Sequence, residues 1–285
     1  MGMKTILVPT ENHESMRSTL STALVLARRF DSYIEGFPLR WAVSEFLAAD
    51  AMGGIPLETY RQDVVQEAKE ARGIFETFMQ DNQVPRATGA SGSLSFGWLD
   101  DAPEGDGFVG SYGRVFDVIV TGRPDPNLGR LHNRAIEAGL FDSGRPVLLA
   151  PPSPPRQIAT NVLIAWNSSP EQARATALAM PLLKQAERVV VLTVVGGAAV
   201  PGPPAEQLVR YLQRSGITPQ SLSVELNGKS SGDATGEAIL KTAAKEGCDL
   251  LIKGAYTQSR LRQMIFGGAT RHILENAPLP ILLAH

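Results

Sequence analysis

Asp249-Leu250-Leu251-Ile252-Lys253-Gly254 answers an earlier stretch, Asp117-Val118-Ile119-Val120-Thr121-Gly122, aspartate for aspartate and glycine for glycine, at an offset of 249 − 117 = 132. Further out, Pro280-Ile281-Leu282-Leu283-Ala284 matches Pro146-Val147-Leu148-Leu149-Ala150 at 134, and Val162-Leu163-Ile164-Ala165-Trp166 matches Ile6-Leu7-Val8-Pro9-Thr10 at 156. The same segments recur in the same order, which is the mark of an internal duplication. The fall from 156 to 132 gives the first half 24 extra residues between its first and fourth strands, and Arg40–Leu57 is the natural site for most of that insertion. The run Pro151-Pro152-Ser153-Pro154-Pro155 reads as a short, stiff linker between a domain at 1–150 and a second at 151–285.

Strand and helix patterns alternate in each half. In the second half, Asn161–Ala165 is a short apolar run of the kind buried in a parallel sheet. Ser169-Pro170-Glu171-Gln172 then opens a helix, with Ser as N-cap, Pro in the first turn and Gln three residues after the cap. Strands follow at Val189–Val195, Leu222–Leu226, Asp249–Lys253 and Pro280–Ala284, with helices at Ala205–Arg214, Asp233–Lys245 and Gly268–Asn276. The first half offers Lys4–Val8, a helix with Leu20, Ala23, Leu24 and Ala27 on one face, and Tyr33–Pro38. A long helix then carries Val64, Ala68, Ala71, Phe75 and Phe78 at helical spacing. Five strands separated by helices, twice over, predict two flavodoxin-like (Rossmann-like) α/β domains. Each has a parallel five-stranded sheet of order 3-2-1-4-5, and the two pack as an intrachain pseudo-dimer. The fifth strands, Pro146–Ala150 and Pro280–Ala284, are expected to pair and so cover two sheet edges.

Composition narrows the function classes. The sequence has 27 basic and 29 acidic residues, a net charge of −2, so no general attraction draws it to nucleic acid or an anionic membrane. Its longest apolar stretch, Val189–Val200, is too short and too glycine-interrupted to span a bilayer. The first residues run straight into a strand pattern without a basic-then-apolar leader, which predicts a cytoplasmic location. Cys248 is the one cysteine; it excludes an internal disulfide and a cysteine-based zinc cluster, and its place just before a strand reads as inert core. His13, His132, His272 and His285 show no metal-ligand spacing, and no metal residue is assigned. No Ser/His/Asp order or nucleophile elbow appears, and Glu11 and Asp117 fall at opposite ends of their strands. No catalytic residue is assigned.

In an open parallel sheet, ligands bind beyond the C-terminal strand ends where strand order reverses. In the second half that point is lined by Trp166-Asn167-Ser168 and by the loop Gly254-Ala255-Tyr256-Thr257, nine residues, then Gly267-Gly268-Ala269-Thr270. Paired glycines at a helix mouth bring backbone N–H groups close to an anion, and the helix dipole favours negative charge there. On the glycines alone, a plain loop-to-helix turn is the better reading.

With these motifs the chain resembles a tandem universal stress protein, two such domains covering essentially its whole length. The carrying match is Val162–Asn167 together with Gly254–Arg271 (GAYTQSRLRQMIFGGATR) and Pro278-Leu279-Pro280-Ile281-Leu282. The family's nucleotide-binding members have a G-x2-G-x9-G-(S/T) loop that holds ATP phosphates, and a strand-one end that contacts adenine or ribose. The resemblance thus implies ATP or another adenine nucleotide in the second half, with Mg2+ only alongside ATP. The implied contact residues are Ala165, Trp166, Asn167, Val194, Gly254, Thr257, Gly267, Gly268, Ala269 and Thr270. Departures bear on this. Thr257 stands for the second glycine, and a β-branched residue is strained if that backbone needs a positive φ. Gly268 replaces the hydroxyl residue, with Thr270 a turn further on, and Asn167 replaces the acidic residue. Arg260 and Arg262 are within reach of phosphates, although solvated positions are the commoner fate.

The first half keeps an acidic strand end in Pro9-Thr10-Glu11. Gly122 is followed, however, by Arg123-Pro124-Asp125-Pro126-Asn127, where two prolines remove two N–H donors. This half is expected to be a structural partner, its 40–57 insertion either a lid, an interaction surface or a solvated excursion. The resemblance implies a stress-response or regulatory protein acting through an unidentified protein partner, without dedicated turnover. Two alternatives stand beside it: a scaffold that binds no ligand or another metabolite, and a slow ATP hydrolase. A homodimer is expected because two-fold pairing is the commonest oligomer.

Overall fold

A computed structural model describes residues 2–40, 42, 57–89, 92–125, 128–197, 199–226, 231–255 and 268–285. Most of the 40–57 insertion therefore lies outside the described residues. The chain divides into compact units at Met3–Arg145 and Pro146–His285.

In the N-terminal unit the order is β1 (Thr5–Thr10), helix Met16–Phe30, β2 (Tyr33–Pro38), helix Leu57–Asp81 and β3 (Ser95–Trp98). Helix Gly107–Gly113, β4 (Val118–Thr121) and helix Gly129–Asp142 complete it. Its strands run β3-β2-β1-β4, all parallel, with Thr5 opposite Tyr33, Tyr33 opposite Ser95 and Ile6 opposite Val118. Ile6, Leu7 and Val8 are wholly buried, as befits a strand covered on both faces. The first helix buries Leu20, Ala23, Leu24 and Ala27, the face its spacing predicts. Helix Leu57–Asp81 buries Val64, Ala71 and Phe75, with Ala68 and Phe78 half-buried.

The C-terminal unit opens with β5 (Val147–Leu149), β6 (Asn161–Ala165), helices Pro170–Leu178 and Met180–Leu183, and β7 (Arg188–Val195). It continues through helix Ala205–Arg214, β8 (Gln220–Glu225), helix Gly232–Lys245, β9 (Leu250–Gly254), helix Gly268–Asn276 and β10 (Ile281–Ala284). The order here is β5-β10-β9-β6-β7-β8. All neighbours are parallel except β5, which lies antiparallel on β10 with Leu149 opposite Ile281 and Val147 opposite Leu283.

This corrects the expectation of a five-stranded sheet in each half: the N-terminal unit holds four strands and the C-terminal unit six. The fifth strand of the first repeat falls inside the C-terminal unit. Its three residues, all buried, supply the partner that the otherwise open edge of β10 needs. The pairing of the two fifth strands is as expected.

The repeated aspartates have a structural reason. Asp117 Oδ2 accepts the backbone N–H groups of Lys4 at 2.7 Å and Thr5 at 2.9 Å. Asp249 Oδ1 does the same for Thr160 at 2.9 Å and Asn161 at 3.1 Å. Each carboxylate pins the start of its central strand to the next strand over, at the end away from the crevice, by satisfying N–H groups that would otherwise lack partners. Among the described residues, no helix is long and apolar enough to cross a membrane.

Candidate functional site

The turn after β6 is tightly determined. The Trp166 N–H donates to Leu192 O at 2.8 Å, and Ser168 adopts a left-handed conformation at φ 66°. Asn167 Oδ1 accepts the Ser169 N–H at 3.2 Å, and Ser169 Oγ accepts the Gln172 N–H at 3.1 Å. The predicted N-cap is therefore real. The Gln172 amide does not reach back to the cap. It is buried against β9 instead, accepting the Gly254 N–H at 2.8 Å and donating to Ile252 O at 3.4 Å. A methyl at Gly254 would sit 2.3 Å from Gln172 N and 2.6 Å from the Glu171 carbonyl carbon. Gly254 is thus required by the contact of β9 with a helix start.

Above these strand ends lies a cavity of about 520 Å³, within the ordinary range for small-molecule sites. Its lining, among the described residues, includes Ala165, Trp166, Asn167, Val194, Gly268, Ala269 and Thr270, seven of the ten residues implied above. Gly254 adjoins it through Lys253. Thr257 and Gly267, with Arg260 and Arg262, lie outside the described residues. Trp166 is buried, and its indole Nε1–H donates to Pro203 O at 3.0 Å, so this ring is fixed at its polar edge by the protein itself. Leu192 and Ile239 give the cavity apolar wall; Thr193, Ser221 and Ser223 give it hydroxyls.

Two features escape a motif search. First, helices Gly232–Lys245 and Gly268–Asn276 both begin at this cavity, with their first residues in contact. A methyl on Gly232 would lie 2.5 Å from Gly268 Cα, and one on Gly236 2.9 Å from His272 Cβ. A methyl on Gly268 would in turn lie 2.9 Å from Gly232 Cα, so glycine at both 232 and 268 allows the two positive helix ends to converge. The spacing Gly232-x3-Gly236 was the available signal. Second, Lys253 lines the cavity although it is only 8% exposed. Its ammonium donates to Gly254 O at 2.9 Å, and burial pulls its pKa down to about 8 against a weaker opposing pull from Glu171. A lysine ending the apolar run Leu250-Leu251-Ile252 was its signal in the sequence.

The Cys248 thiol is pushed up to about 11, chiefly by burial, which fits an unreactive side chain.

The equivalent place in the N-terminal unit is built differently. His132, on the helix after β4, is buried with Nδ1 2.6 Å from Glu11 Oε2 and Nε2 2.7 Å from Arg123 O. Burial works against a charged His132, but the Glu11 carboxylate and the Arg123 carbonyl outweigh it and hold the ring above its usual pKa. Burial likewise would raise Glu11; His13 and His132 overcome it and hold the carboxyl below its usual value.

Comparison with known proteins supplies a family and a fold. Residues 159–285 match the Universal stress protein family. No curated protein matches the chain. A universal stress protein from Archaeoglobus fulgidus DSM 4304 has a similar structure at 15% identity, covering 99% of this chain and 96% of its own with a TM-score of 0.72. A functionally unknown protein from Pseudomonas aeruginosa PAO1 is similar at 14% identity, with 99% and 92% coverage and a TM-score of 0.53. At these identities the likeness concerns the fold. Residues 159–285, a little under half of the chain, are thus similar to the universal stress protein family.

Proposed function

We propose that the cavity of the C-terminal unit binds ATP or another adenine nucleotide, and that the protein is a stress-response regulator without dedicated turnover. The observation that carries this reading is Lys253, a buried ammonium beside two converging helix starts. A cation that burial disfavours and two positive helix ends together favour an anionic group. The apolar wall of Leu192, Val194 and Ile239 suits a planar base. Lys253, Gly268, Ala269 and Thr270 would hold phosphate oxygens, and Mg2+ would enter with the nucleotide. Among the described residues Glu206 is the one carboxylate lining the cavity, with no aspartate or histidine beside it, a set that suits binding better than hydrolysis.

Binding would alter the surface offered to a partner. Isothermal titration of the full chain with ATP tests this: one site per chain is expected, with phosphate release at the buffer background. No heat and no thermal shift at millimolar ATP overturns it.

A second reading, another anionic metabolite, draws on the strand-one end. Trp166 Nε1 and Asn167 Oδ1 already have partners in Pro203 and Ser169. Small molecules released from purified protein, identified by mass spectrometry, separate the two readings.

A further inference from the structure

We propose that Glu11, His13 and His132 of the N-terminal unit form a binding site for one divalent transition-metal ion of the zinc class. Glu11 and His13 come from the turn after β1 and His132 from the helix after β4, and one donor atom of each lies within 4.8 Å of the others. Two imidazoles and one carboxylate make a donor set that suits zinc and leave a fourth position for water.

The outward nitrogens of both rings are already held. His132 Nε2–H donates to Arg123 O at 2.7 Å, and His13 Nδ1 meets Ser15 Oγ at 2.8 Å. This turns His132 Nδ1 and His13 Nε2 toward Glu11 Oε2, at 2.6 and 3.7 Å. Such outer contacts are what orient imidazoles at metal centres. His13 supplies the independent observation. Its side chain is only 10% exposed, yet Nε2 is buried without a hydrogen-bond partner. A buried ring nitrogen in that condition is uncommon and points to a ligand-binding role.

The geometry needs little change. Donors 2.0–2.1 Å from a tetrahedral zinc stand about 3.4 Å apart. The Glu11–His132 pair at 2.6 Å must open and the Glu11–His13 pair at 3.7 Å must close, each by less than about 1 Å, and the two histidine donors, within 4.8 Å of each other, need close by no more than about 1.4 Å. Gly122 leaves room for the ring of His132, whose Cε1 would be 3.2 Å from a methyl there. The surroundings favour a cation: Glu67 and Glu70 lie on the adjoining helix, Asn12 Nδ2 donates to Glu70 at 2.7 Å, and Glu67 feels the charge of Glu11. The Glu11 side chain is 18% exposed, which gives an entry path.

The test uses the full chain, stripped with a chelator and titrated with zinc chloride against a chromophoric competitor. One zinc per chain at micromolar affinity or tighter is expected, and cobalt(II) in the same site should show a visible d–d band. Removing Glu11 or His132 risks the local fold, so the deciding variant is His13→Ala. It deletes the nitrogen that lacks a hydrogen bond together with the exposed contact to Ser15 Oγ, and should weaken zinc at least ~10-fold while lowering the melting temperature in chelator only slightly. Failure of the wild type to bind zinc, or full zinc affinity in His13→Ala, overturns the proposal. ATP titration of His13→Ala should match the wild type, which keeps this result separate from the nucleotide reading.

Discussion

After β1 the chain reads Glu11-Asn12-His13-Glu14-Ser15, and after β6 it reads Trp166-Asn167-Ser168-Ser169. Both turns lead from a central strand into the first helix, and in each repeat a glycine stands at the end of the fourth strand, Gly122 just after β4 or Gly254 as the last residue of β9. In the C-terminal unit the turn is held by backbone and hydroxyl contacts, and space remains above it, with a buried cation at the end of β9. In the N-terminal unit, a carboxylate and two imidazoles meet over the strand ends, and Thr121 stands where the other repeat has Lys253. One sheet topology thus supports two charge patterns at the same point. The side chains that follow the strands decide whether the crevice favours an anion or a cation.

The largest expected contrast is between the two glycines. In Gly254→Ala the new methyl meets backbone, 2.3 Å from Gln172 N, whereas in Gly122→Ala it meets the His132 ring edge at 3.2 Å. Overpacking against backbone should cost about 3 kcal/mol, and against a ring that can shift less than about 1 kcal/mol. Thermal unfolding of the two variants side by side measures the difference; equal losses would mean the helix start moves as easily as the ring.

Next in size is Lys253→Met. Losing a charge-assisted contact to phosphate should weaken ATP about 30-fold, roughly 2 kcal/mol. The free protein should gain stability, because a buried ammonium is replaced by an apolar chain of similar length. Thr121→Met, at the matching position, should leave ATP affinity unchanged.

Lys253 also sets a pH dependence. Its folded pKa of about 8 lies below its ordinary value of 10.5, so the unfolded chain binds the proton more tightly. Stability from this group is therefore lowest below pH 8 and rises between pH 8 and 10.5. ATP affinity should move the opposite way, level below pH 8 and falling above it as the ammonium is lost. Titrations at pH 7, 8 and 9 follow it, and a flat profile would remove Lys253 from the site.

The sequence displays the repeat plainly, because buried strands must be apolar and their aspartates must fall where strands begin. Strand order within each repeat, the N-cap at Ser169 and the helix at Gly268–Asn276 follow from local chemistry. What the repeat hides is ownership: nothing in Val147-Leu148-Leu149 says that this strand belongs with the C-terminal unit, since the deciding contact is with residues 281–283. The candidate cavity is legible in its strand-one end and in Gly268. Lys253 is obscured by the apolar run around it, and the glycine motif draws attention to phosphate loops instead of helix contact. Glu11, His13 and His132 were beyond reach for a different reason. Metal-ligand spacing is recognisable when ligands share one element, whereas here 119 residues (132 − 13) separate two imidazoles that only sheet topology brings together.

The smallest contrast concerns two serines. Ser169 is extended (φ −77°, ψ 153°) and caps its helix, while Ser15 is already helical (φ −72°, ψ −9°) and makes no side-chain cap. Ser169→Ala should therefore cost about 1 kcal/mol, and Ser15→Ala close to nothing in metal-free protein. Ser15 Oγ instead steadies the ring of His13. If that ring is a ligand, Ser15→Ala becomes visible only with zinc present, as a weakening of roughly 10-fold in affinity. Ser169→Ala should behave identically with and without zinc, since its hydroxyl touches no ligand. Melting both variants in chelator and in zinc gives four values, and the pattern requires that a single one of them depends on the serine through the metal. A Ser15→Ala loss of equal size in both conditions would reduce that hydroxyl to an ordinary turn contact.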